Sequence, residues 1–191
     1  QPSPLWQAIL SLVEAKKLDP NKFRVDIYGR NTRSFVLDRF ASNPVLERIV
    51  NLHPFLGYRD SLQELLRATA LLLYIPSGKN TESVLTGKIF DYLRTGKPVL
   101  AIVPPAGLAA ELLTKAGIGY IADHQDLPGI AERLMELYWL WENRALGELK
   151  VNHDYIAQFS RPNLARKLAK LIDAVATGQP AGLQVHTGAE Q

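Results

Sequence analysis

The segment from Thr86 to Ala101, Thr-Gly-Lys-Ile-Phe-Asp-Tyr-Leu-Arg-Thr-Gly-Lys-Pro-Val-Leu-Ala, leaves the chain little conformational choice. Ile89, Phe90 and Leu93 recur at helical spacing. That predicts a short helix with those three side chains toward the core and Lys88 and Asp91 toward an edge. Gly96 supplies the left-handed residue that ends such a helix, and Pro98 forbids its continuation. Val99 to Val103 then reads as a buried strand. A helix joined to a strand by so short a turn is pinned against the sheet.

Upstream, Ala70 to Ile75 is continuously apolar, the mark of a central parallel strand covered on both faces. Pro4 to Lys17 reads as an amphipathic helix, Asp19-Pro20-Asn21 as a turn, and Phe23 to Tyr28 as a strand ending at Gly29-Arg30. A short helix is expected over Ser34 to Ala41, a strand over Leu46 to Leu52, and a helix over Ser61 to Thr69. Pro76 to Glu82 is a polar loop. Helix Gly107 to Ala116, strand Tyr120 to Ala122, and helices Leu127 to Asn143 and Pro162 to Val175 complete the order. Strands alternate with helices, so the fold class is α/β, a Rossmann-like doubly wound parallel sheet with helices on both faces. Residues 1–175 form one domain in this reading, with 176–191 a loose tail rich in Gly, Pro, Thr and Gln.

A length of 191 residues suits a single full core, and 47% apolar against 21% charged residues is ordinary for a soluble globular chain. The net charge of +3 is spread through the helices rather than striped, which disfavours nucleic acid as a partner. With no cysteine there are no disulfides, thiol nucleophiles or thiolate metal sites, and a reducing compartment fits. The apolar runs are too short to span a bilayer and no signal peptide is visible, so the expected location is cytoplasmic. Gln1 is not an initiator methionine and a helix starts almost at once. A fragment of a longer protein is the expectation.

At the start of the Lys88 helix, unpaired backbone N–H groups, the positive end of the dipole and the Lys88 ammonium can converge on one anion. Asp91 follows on the same side as Gly87 by i,i+4 spacing. Phosphates on the backbone with a carboxylate one turn deeper suit a nucleotide, the acid accepting ribose hydroxyls. Taken singly, Thr86 reads as an N-cap, Lys88 as a surface lysine and Asp91 as a first-turn acid; their co-occurrence after a strand and a polar loop favours the site. There is no P-loop and no Gly-x-Gly-x-x-Gly. In parallel sheets ligands lie beyond the carboxyl ends of the strands, here Gly29-Arg30-Asn31, Phe55 to Arg59, Pro76 to Glu82 and Pro104 to Gly107.

With these elements in order, Gly87 to Ala101 resembles the Gly-Lys-Leu-Phe-Glu-Tyr-x-x-x-Gly-x-Pro-Val-x-Ala segment of group 1 (family 4) glycosyltransferases of the GT-B fold. Phe55-Leu56-Gly57-Tyr58 with the helix and strand after it, Ala116-Gly117-Ile118-Gly119, and the acidic turn from Asp123 to Asp126 also fit. The similarity is to the C-terminal, nucleotide-sugar-binding half and runs from about Ser3 to Leu171. It implies a hexosyl transfer with retention from a UDP- or GDP-sugar, without a metal or other cofactor. Asp91 would take the ribose hydroxyls, and Thr86, Gly87 and Lys88 the diphosphate leaving group. Tyr58 would lie in the region that contacts the base, and Gly29 and Arg30 beside the donor.

Two departures from the family pattern stand out. The family's first glutamate, eight residues before the second acid, is here Ser83 with Glu82 beside it, so these two are the candidates for the contact with the transferred sugar. Asp91 is one methylene shorter than the usual Glu. The resemblance also implies a preceding strand with its glycine loop and an acceptor-binding N-terminal domain as the chain's natural partner; alone, this half is expected to be inactive in transfer.

His53, His124, His153 and His186 lack metal-ligand spacing, and Tyr138, Trp139 and Trp141 read as packing residues or a contact with the N-terminal domain. Arg161, Arg166, Lys167 and Lys170 give the last helix a basic face, solvated by default, with peripheral attraction to the inner face of an anionic membrane as the alternative. No Gly-x-Ser-x-Gly elbow or glycosidase carboxylate pair is found. The rival functions are a non-catalytic nucleotide- or phosphate-binding regulatory module, and a structural domain whose Gly87-Lys88 turn is merely a helix cap.

Overall fold

The computed structural model describes residues 3–30, 43–76 and 78–178. The helix expected over Ser34 to Ala41 lies outside the described residues, as do Asn31, His186 and all of the expected tail beyond residue 178. Among the described residues, helices α1 (Pro4–Glu14), α2 (Pro44–Ile49), α3 (Tyr58–Arg67), α4 (Lys88–Thr95), α5 (Leu108–Lys115) and α6 (Leu127–Glu142) alternate with five strands. These are β1 (Val25–Tyr28), β2 (Val50–His53), β3 (Leu71–Tyr74), β4 (Val99–Ile102) and β5 (Gly119–Ala122). The chain divides into two compact units, 1–152 and 153–191; the second contains α7 (His153–Ala157) and α8 (Arg161–Ala176). No helix among the described residues is long and apolar enough to cross a membrane.

Among the described residues every strand pair is parallel, but the strands form two sheets, β1-β2 and β3-β4-β5, rather than the single doubly wound sheet expected. Sequence periodicity specifies that a strand exists; which edge it pairs with is decided by packing between distant segments. Within the three-stranded sheet β4, not the apolar β3, is central and is buried at all four positions. Leu100 and Ile102 join the core formed with α1 and α6, while Val99 and Ala101, on the opposite face by strand alternation, are equally inaccessible. β3 is an edge of that sheet, and Tyr74 at its end is exposed.

The strand expected over Leu46 to Leu52 is instead a helix followed by a strand. Asn43 Oδ1 accepts from the backbone N–H of Val45 and Leu46 at 3.0 and 3.3 Å, Pro44 sits in the first turn, and Leu46 and Ile49 bury one face. Those caps override the β-propensity of the apolar residues, and only Val50 to His53 extend as β2 in register with β1. Helix α3 likewise begins at Tyr58 rather than Ser61, behind the cap residue Gly57.

Helix α4 ends as its sequence requires: Gly96 adopts φ +64° and its N–H donates to the Leu93 carbonyl at 3.1 Å. Ile89 and Leu93 are buried, whereas Phe90, expected in the core, is exposed and Tyr92 is buried in its stead. Burial of a tyrosine requires a partner for its hydroxyl, and Tyr92 donates to the Leu72 carbonyl at 3.1 Å. Burial pushes the Tyr92 pKa above its usual value, with the Asp91 charge adding to the shift, so the phenol stays protonated. The bond ties α4 to β3 and fixes the helix whose first turn carries the candidate site.

Candidate functional site

The first turn of α4 is built so that its backbone faces outward. Gly87 is the cap residue, in place of the expected Thr86, with an ordinary φ of −57° and no side-chain hydrogen bond to the helix. The N–H groups of Ile89 and Phe90 are taken by the Thr86 and Gly87 carbonyls, at 3.1 and 3.3 Å. Among the described residues no acceptor is found for the N–H groups of Gly87 and Lys88. A Cβ added to Gly87 would meet nothing within 4 Å. Neither backbone strain nor crowding therefore demands glycine at this position, and the missing side chain leaves room in front of the amides.

Thr86 is half-buried, and its hydroxyl oxygen is shielded from solvent with no hydrogen-bond partner among the described residues. An unpaired polar group shielded in this way is costly. Lys88 is exposed at the head of the helix. Asp91, one turn on, is half-buried rather than turned into the core, and its Oδ1 accepts from the Tyr58 hydroxyl at 3.0 Å. Tyr58 and Asp91 thus meet across the α3–α4 contact, while Thr86, Gly87 and Lys88 lie at the start of α4, one turn before Asp91.

Glu82 and Ser83 lie in a single 3-10 turn, Thr81–Ser83, with both residues exposed. The backbone of that turn packs on the residue before α5: a Cβ on Gly107 would come within 3.0 Å of both the Glu82 and Pro104 carbonyl oxygens. Gly107 thereby sets how closely the loop carrying Glu82 approaches α5. Gly29 follows β1, and its N–H donates to the His53 carbonyl at 3.4 Å. The Arg30 guanidinium stands 4.7 Å from the centre of the Phe55 ring, joining two of the expected rim loops by a cation–π contact. Tyr28, at the end of β1, donates to Glu64 on α3 at 3.1 Å, so the β1 end is tied to the helix that bears Tyr58.

A second polar group was not singled out by sequence reasoning. Asp26 on β1 accepts from His53 Nε2 at 2.9 Å, from Asn51 Nδ2 at 3.1 Å and from Arg24 Nε at 3.0 Å. The Tyr28 and His53 rings stack with centroids 4.4 Å apart. Desolvation pushes the Asp26 carboxyl up, but the His53 and Asn51 hydrogen bonds and the Arg24 charge outweigh it, and its pKa falls below the ordinary value. Only the β1–β2 register, Asp26 opposite Asn51 and Tyr28 opposite His53, brings these residues together. His53 is therefore a hydrogen-bond partner of Asp26 across the sheet. Among the described residues no group of three or more His, Asp or Glu could hold a metal ion.

Of the aromatic residues on α6, Tyr138 is buried and packs on Trp141 at 5.5 Å between centroids, while Trp139 faces solvent.

An arrangement of open backbone donors, a cation and a carboxylate one turn away can hold an anion bearing hydroxyl groups. No protein-family model matches this chain, and no curated protein matches it either.

Proposed function

We propose that this chain is the donor-nucleotide-binding domain of a retaining GT-B glycosyltransferase, which transfers a hexose from a nucleoside-diphosphate sugar to an acceptor. The observation that carries the proposal is Gly87: a glycine required by neither its φ nor its neighbours, capping a helix where its own N–H and that of Lys88 have no acceptor among the described residues. In this reading those amides and Lys88 receive the diphosphate, beside Thr86. Negative charge that develops on the diphosphate as the sugar departs is then met by donors already in position. Asp91 accepts hydroxyls of the pentose, Arg30 and Gly29 lie along the donor, and Glu82 with Ser83 approaches the transferred sugar. The similarity of Gly87 to Ala101 to the family segment adds support.

Calorimetric titration with UDP, GDP and pyrophosphate tests this. UDP or GDP is expected to bind, and Asp91→Ala to weaken it about 10- to 100-fold, the worth of hydrogen bonds to a charged acceptor. Pyrophosphate, which has no pentose, should bind wild type and variant alike. Failure of the wild-type chain to bind either nucleotide would contradict the proposal, as would equal nucleotide affinity in Asp91→Ala. A full-length protein that binds the nucleotide yet consumes no sugar nucleotide would favour a regulatory module instead.

A further inference from the structure

Tyr58 and Asp91 are separated by 33 positions in sequence and sit on different helices, yet the phenol donates to Asp91 Oδ1 at 3.0 Å. Tyr58 opens α3 and is 62% exposed, so the bond is not a by-product of core packing. Its main consequence falls on the acid. A free aspartate side chain rotates among several rotamers, and a carboxylate that must receive two adjacent hydroxyls has to present one edge. Holding one oxygen selects that edge before the ligand arrives, so less freedom is lost on binding.

We propose that Tyr58 is a positioning residue for pentose recognition, fixing Asp91 so that its carboxylate faces the vicinal diol of a ribonucleotide. The proposal rests on the nucleotide reading of α4, and it moves Tyr58 from the base to the sugar. A carboxylate oxygen has two lone pairs, so Oδ1 can accept from Tyr58 and from one hydroxyl together. Among the described residues Oδ2 has no partner and is available for the second hydroxyl. A nucleotide lacking both hydroxyls makes no use of the fixed edge and should not sense the phenol.

The test titrates the whole chain and its Tyr58→Phe variant with UDP and GDP, with the 2′,3′-dideoxy form of each, and with pyrophosphate. Tyr58→Phe keeps the ring and removes only the donor. It should weaken the ribonucleotide about three- to tenfold and leave the dideoxy form and pyrophosphate unchanged. The thermal midpoint of the variant, measured alongside, should match the wild type. Equal weakening of all ligands would show a general structural role and overturn the assignment, and so would unchanged or tighter ribonucleotide binding. Wild type that binds none of these ligands would remove the nucleotide reading and this assignment with it. Wild type that binds, with a variant whose loss does not depend on the diol, would remove the assignment of Tyr58 alone.

Discussion

Gly87→Asp is expected to leave the fold standing and to weaken nucleoside-diphosphate binding at least about 15-fold. The substituted residue has space, because a Cβ there meets nothing within 4 Å, and φ −57° suits any L-residue. An acid at the cap position of α4 also complements the helix dipole, so stability should not fall. The new carboxylate would stand where the diphosphate is proposed to bind. At about 5 Å, each pair of like charges costs about 0.8 kcal/mol even at the dielectric constant of water, and a diphosphate carries two or three charges. Gly87→Asn, of nearly the same size and uncharged, separates repulsion from crowding and should lose much less affinity. Matching Tm values for the three proteins, with affinity lost chiefly in the aspartate variant, is the expected pattern. Retention of wild-type affinity by Gly87→Asp would place the phosphates elsewhere.

Gly117→Ala should damage the fold itself. Gly117 follows α5 with φ +71°, its N–H donates to the Thr114 carbonyl at 2.9 Å, and the next N–H, of Ile118, donates to the Leu113 carbonyl at 3.2 Å. This is the left-handed turn that ends a helix, and it costs a residue bearing a Cβ about 1–2 kcal/mol. The segment after the Ala145–Glu148 turn also runs directly over this glycine. A Cβ at residue 117 would overlap the Lys150 carbonyl oxygen, and the Asn152 N–H donates to the Ala116 carbonyl at 2.9 Å, which holds that segment in place. Backbone that cannot yield without losing a hydrogen bond adds about 1–3 kcal/mol. A total near 3 kcal/mol lowers Tm by about 6–12 °C for a unit of this size, measurable by calorimetry or circular dichroism. A shift below about 2 °C would mean that the 150–152 segment moves aside freely.

The parts of this structure that could be read from sequence are those whose causes are local. Between Thr86 and Ala101, each boundary is set by a residue within a turn of it, Gly96 and Pro98 above all, and helix and strand fall where expected. Local signals also fix α2, where the Asn43-Pro44 cap prevails over the β-like composition of Val45 to Val50 that reads as a strand. The exchange of Phe90 for Tyr92 in the core has a different origin. Hydrophobicity favours burying Phe, whereas the structure offers the Tyr92 hydroxyl a carbonyl on β3, a partner 20 positions away that no periodicity reveals. Strand pairing into two sheets, the Tyr58–Asp91 bond and the Asp26–His53 pair are all long-range, and each depends on which segments meet. The candidate phosphate turn was legible because it lies within one helix end. The Tyr58–Asp91 bond was not, because its donor arrives from another helix.

The most direct measurement follows the backbone amide resonances of Gly87 and Lys88 in a ¹⁵N-labelled chain as UDP, GDP or pyrophosphate is added. Amides that take up hydrogen bonds to phosphate oxygens should shift strongly and saturate together with the calorimetric affinity, with pyrophosphate sufficient to move both. Ligand binding that displaces resonances elsewhere while those two stay still would contradict the account.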